Sequence, residues 1–161
     1  VASHLQRFKD AQDQAVSGFE SALSEIRRGG KRSHWIWYVF PQLSGLGQSM
    51  ASVTYGLQDI SEARDYLRDP LLRSRLLAIA SAVAEQTGHP RSVSLSRLMG
   101  STIDVTKLVS SLTLFESLAQ QLHAEEAVDD YASLARVARE ILSVARAEGY
   151  PPCQFTLDRL R

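Results

Sequence analysis

Apolar residues return at three- and four-residue steps along most of this chain, the pattern of helices that each bury one face. Leu5, Phe8, Ala15, Phe19, Ala22, Leu23 and Ile26 fit one stripe, which predicts a single long amphipathic helix. Arg27 and Arg28 would complement its carbonyl end, and Gly29-Gly30 would stop it. Asp59 with Glu62 predicts a capping box opening a helix to about Arg68. Asp69-Pro70 predicts a second start, and Leu71, Leu72, Leu76, Ile79, Ala80 and Val83 carry that helix to Gly88. Leu95 to Met99 reads as one short turn. Further stripes predict helices from Asp104 to about Leu122 and from about Tyr131 to Ala145. A short helical piece is expected around Phe155 to Leu160. Ser44 to Gly56, with three glycines and no period, reads as a loop. The expectation is one all-α domain over residues 1–161, of about five to seven helices with antiparallel neighbours.

Lys31-Arg32-Ser33-His34-Trp35-Ile36-Trp37-Tyr38-Val39-Phe40-Pro41-Gln42 breaks this regularity. It holds both tryptophans beside two cations and a histidine, a concentration that suggests a pocket wall. A short helix would place His34 and Tyr38 on one face; a buried strand is the competing reading. Lys31, Arg32 and Ser33 at a helix start would suit an anion. Trp35 or Trp37 could stack on a flat ring, although alternate positions cannot both face it. His34 is the proton-transfer candidate.

A second polar row, Asp104, Lys107, Ser110 and Ser111, borders the apolar stripe of its helix. Asp104 joins His34 as a candidate catalytic group, and Lys107 joins the anion-binding cations. Gln42, Ser49 and Tyr55 flank a glycine-rich loop that could approach a ligand closely. The acidic pairs Glu125-Glu126 and Asp129-Asp130 lie near a helix start and need no further role.

Composition narrows the possibilities. Across 161 residues, 18 basic residues offset 18 acidic ones, so no global field draws nucleic acid or an anionic membrane. The lone Cys153 and four scattered histidines argue against a metal site, and no dinucleotide, P-loop, HExxH or nucleophile-elbow motif implies a cofactor. No apolar run approaches a membrane span, and Val1 to Asp10 lacks a secretory h-region, so a cytoplasmic location is expected.

The aromatic segment, its continuation Leu43-Ser44-Gly45-Leu46-Gly47-Gln48-Ser49, then Glu62-Ala63-Arg64-Asp65-Tyr66-Leu67 and Asp104-x-x-Lys107-x-x-Ser110-Ser111-Leu112-Thr113-Leu114-Phe115 resemble a family. It is the bacterial domain of unknown function eighteen-ten, whose members are sometimes mislabelled calpastatin. Arg7-Phe8 and Ala11-Gln12 also fit, and the resemblance runs roughly from Leu5 to Phe115. Tyr150-Pro151-Pro152-Cys153-Gln154-Phe155-Thr156-Leu157 departs from the glycine-aspartate turn expected there. The resemblance implies a mainly α-helical fold and no established reaction. The residues themselves favour a small anionic or nucleotide-like metabolite in a groove between segments 31–42 and 104–115. The alternative is a non-catalytic protein-interaction module that presents the aromatic segment.

Overall fold

A computed structural model describes residues 3–161, so Val1 and Ala2 of the N-terminal stretch lie outside it. Ten helices follow in order: α1 (Gln6–Gln12), α2 (Phe19–Arg27), α3 (Ile36–Val39), α4 (Met50–Tyr55), α5 (Ile60–Arg68), α6 (Pro70–Thr87), α7 (Leu95–Met99), α8 (Thr102–Glu125), α9 (Asp129–Ala147) and α10 (Gln154–Arg159). No strand occurs among the described residues beyond an isolated bridge between Leu43 and Leu57. The all-α expectation holds, but the helix count exceeds five to seven.

Two of the extra helices have physical reasons. The predicted first helix is broken into α1 and α2 by residues 13–18. Phe8 and Phe19 sit eleven residues apart, which leaves them within about 20° of each other in helical phase, so the stripe runs across the break unchanged. Gly18 makes the break possible: a Cβ there would lie 2.0 Å from the Gln14 carbonyl oxygen. The preceding Ser17 has φ 59. The second extra helix, α4, replaces the predicted loop. Ser49 caps it by accepting from the Ser52 amide at 3.1 Å, and Met50 and Val53 remain exposed. Its one buried residue is Ser52, so it carries no apolar period to detect.

The capping signals fold as expected. Asp59 accepts from the Glu62 amide at 2.8 Å, and Asp69 accepts from the Leu71 and Leu72 amides at 3.0 Å each. The long α8 is the centre of the molecule: residues 108–115 are buried on every side, packed against α9 and approached by α3, α5, α7 and α10. Arg64, Arg68 and Arg73 pair with Glu125, Glu126 and Asp130, which ties α5 and α6 to the α8–α9 turn. The divergent C-terminal segment docks on α8 too, with the Cys153 amide donating to Thr113 Oγ1 at 3.1 Å.

Candidate functional site

The site is built where the stretch after α2 meets the turn between α7 and α8. The Lys31 amide donates to the Leu98 carbonyl at 2.8 Å, which joins the two connections. Gly100, at φ 85, lets them approach: its missing Cβ would stand 3.3 Å from the Lys31 carbonyl oxygen. Lys31 Nζ then lies 2.7 Å from Asp104 Oδ2 and donates to the Ser33 carbonyl at 2.7 Å. It also sits 5.0 Å from the Trp35 ring centroid. The Lys31 side chain is 5% exposed, so its charge is neutralised inside the protein by the first turn of α8.

A cavity of about 320 Å³ opens beside this pair. Lys31, Arg32, His34 and Trp37 line it from one segment, and Asp104 and Lys107 from the other. Met99, Gly100, Ser101 and Ile103 complete the wall. The two stretches singled out in the sequence therefore converge on one concavity. Since Lys31 is held by Asp104, Arg32 and Lys107 are the cations left to meet a ligand. His34 is exposed, whereas the buried Trp37 indole N–H has no hydrogen-bond partner.

The other candidates lie elsewhere. Trp35 is 0% exposed and donates its indole N–H to Glu25 Oε1 at 2.9 Å, so it offers no ring face to a ligand. Tyr38 is buried, and its hydroxyl donates to the Ser17 carbonyl at 2.6 Å. With Phe40 also buried, these three rings are core, and Trp37 is the ring of the segment that reaches the cavity. Ser33 packs against Glu25. Ser110 is buried and donates back to the Thr106 carbonyl at 3.0 Å. Ser111 is wholly buried, and its hydroxyl has no partner. Both serines belong to the packing of α8, where small side chains admit its neighbours. Gln42 is buried, Ser49 caps α4, and the Tyr55 ring lies 5.1 Å from that of Tyr38. None of these three lines the cavity.

Sequence reasoning passed over Glu25. Its carboxylate accepts from the Arg32 amide at 2.7 Å, the Ser33 amide at 2.9 Å, the Ser33 hydroxyl at 2.5 Å and Trp35 Nε1. Burial alone would raise its pKa, but these hydrogen bonds outweigh burial and lower it to about 2. Glu25 therefore fixes the cavity's basic stretch in shape. One signal was present: an acid in the last turn of a helix faces the unfavourable end of the macrodipole and needs another reason to be there. Arg97 on α7 was missed as well, with no signal to mark it.

Against known proteins, residues 2–140 match the family described as protein of unknown function, DUF1810. The chain is also similar to the conserved hypothetical protein Rv1873 from Mycobacterium tuberculosis, known from a crystal structure. The two share 31% identity at a TM-score of 0.70, over 96% of this chain and 94% of the other. No curated protein matches.

Proposed function

The chain belongs to the DUF1810 family, and we propose from its own geometry that the cavity between residues 31–37 and the start of α8 binds a small anionic, nucleotide-like metabolite. One observation carries this reading. Two cations without an acidic partner, a tryptophan and an exposed histidine converge on one concavity from segments far apart in the chain. Arg32 and Lys107 would meet the anionic group. Trp37, with Met99 and Ile103, would supply the apolar wall against a ring. His34, at the solvent side, is the proton-transfer group, while Asp104 serves as the counter-ion that positions Lys31.

Thermal-shift screening against nucleotides and phosphorylated or carboxylated metabolites tests the reading, because a ligand selective for the native state raises Tm. A hit must quench or shift Trp37 emission and lose affinity in Lys107→Ala. A library that leaves Tm unchanged, or hits indifferent to Lys107, would reject it.

A further inference from the structure

A second concavity of about 350 Å³ lies on the other side of Arg32. Glu25, Arg28, Gly29, Gly30, Arg32 and Arg97 line it, so it shares Arg32 with the cavity above. Its lining has no apolar side chain. Three arginines reach it from three places: the C-terminus of α2, the stretch that follows, and α7.

Arginines on a surface are ordinarily explained by an acid nearby or by helix-end carbonyls that need a donor. Neither accounts for all three here, although Glu25 lies in the same lining. Arg28, Arg32 and Arg97 form no ion pair among the described residues, where eleven other contacts pair arginine or lysine with an acid. The last carbonyls of α2 are already taken. Gln86 Nε2, from α6, donates to both Ile26 and Arg27 at 2.9 Å, and the Gly30 amide donates to Glu25 at 3.1 Å. The one acid in the lining, Glu25, spends its oxygens on Arg32 and Ser33 amides, the Ser33 hydroxyl and Trp35. Three arginines thus line a hollow whose single acid, Glu25, is held by other donors, so the lining carries three positive charges against one negative in a chain whose total charge is zero.

We propose that this arginine chamber is a phosphate-binding subsite. Guanidinium forks pair with phosphate oxygens in bidentate fashion, and three of them match a tetrahedral dianion. Because Arg32 belongs to both cavities, the ligand class follows: a phosphorylated ring compound, with its phosphate among Arg28, Arg32 and Arg97 and its ring against Trp37. The ring half of this assignment rests on the function proposed above; the phosphate half stands on the chamber alone.

The test is an amide NMR titration of the full chain with inorganic phosphate, adenosine and AMP. Phosphate is expected to shift the amides of Gly29, Gly30 and Arg97, adenosine the Trp37 indole, and AMP both sets. Arg28→Gln and Arg97→Gln, on different elements, should each weaken phosphate and AMP at least about tenfold. Their Tm should stay within about 2 °C of the parent. If one variant fails to fold, the other still reports. Lys107→Gln, a change outside the chamber, should leave inorganic phosphate binding unchanged. Phosphate that leaves the chamber amides still, or binds both arginine variants as it binds the parent, overturns the subsite even if adenosine still reaches Trp37. Phosphate binding in the chamber with no nucleoside effect at Trp37 upholds the subsite and overturns the ring cavity. A single-stranded oligonucleotide that displaces AMP from the same arginines would overturn the small-molecule assignment.

Discussion

Lys31 and Asp104 form an ion pair of 2.7 Å whose lysine is 5% exposed and whose carboxylate is 17% exposed. The pair decides two things together. It pins the basic stretch after α2 to the first turn of α8, and it withdraws one cation and one acid from the cavity's free chemistry. Removing one partner leaves the other charge buried and alone. Asp104→Ala is expected to cost about 3 kcal/mol in urea denaturation. The paired replacement Lys31→Met with Asp104→Leu should recover most of that loss, since an apolar pair avoids desolvating charge. A double variant no better than Asp104→Ala would show that the pair's geometry, and not its charge balance, holds the two segments.

Acid should loosen the fold at three of its carboxylates. Glu25 is lowered from an ordinary 4.5 to about 2, and Glu62 and Asp69 are lowered as well: burial opposes each shift but is outweighed by hydrogen bonds, joined at Glu62 by the charge of Arg7 and at Asp69 by that of Lys9. A depressed native pKa means that the unfolded chain takes up protons first, so the stabilisation is complete above about 4.5 and disappears as pH falls towards 2. Thermal melts across that window should show Tm falling with pH. In Glu25→Gln the melt should start lower at neutral pH and fall less steeply. A Glu25→Gln curve parallel to the parent would remove Glu25 from the account.

The two tryptophans should behave differently. Trp35 fills core and donates to Glu25, so Trp35→Ala is expected to cost about 3–5 kcal/mol. Trp37 is partly exposed, with an indole N–H that finds no partner. Trp37→Phe removes that unsatisfied donor and some contact area together, and stability should change by less than about 1 kcal/mol. Denaturation curves of the two variants decide it; equal losses would contradict the assignment of one ring to core and the other to cavity wall.

A further pair organises the opposite end of the aromatic segment. Arg7 Nη2 lies 2.8 Å from Glu62 Oε1, with the two side chains 11% and 4% exposed. The same guanidinium donates to the Thr54 and Gly56 carbonyls at 3.0 and 2.9 Å. Arg7→Ala should destabilise by about 3 kcal/mol. Hydrogen exchange should rise first at 54–57, the segment this arginine ties down. Unchanged protection there would mean that the Leu43–Leu57 bridge holds the segment unaided.

Cavity binding is separable from these stability effects. Lys107→Ala removes a half-exposed cation that forms no ion pair among the described residues, so its Tm should match the parent within about 2 °C. Any ligand of the cavity should lose about tenfold in affinity, read by calorimetry. A large fall in Tm would move Lys107 from the site to the scaffold.

Much of the helical architecture could be read from the chain, because caps and apolar stripes act locally. Asp59, Asp69 with Pro70, and Gly88 each mark a helix end where expected. The break at 13–18 could not be read, because apolar phase records which face is buried and not whether the axis is continuous. Nor could α4, a six-residue helix whose one buried residue is Ser52.

By itself, then, the order of residues determined that this protein is helical and that two polar stretches stand apart from its apolar stripes. Tertiary packing alone decided which polar groups remain free. Trp35 and Trp37 differ in role because the short α3 turns one ring inward and leaves the other beside a cavity. Lys31 and Asp104 cancel because Gly100 lets the two connections meet, and Glu25 becomes a clamp because four donors fold over it. The physical reason is common to all three. Burial and charge pairing depend on distances between segments remote in the chain, and no local pattern encodes those distances.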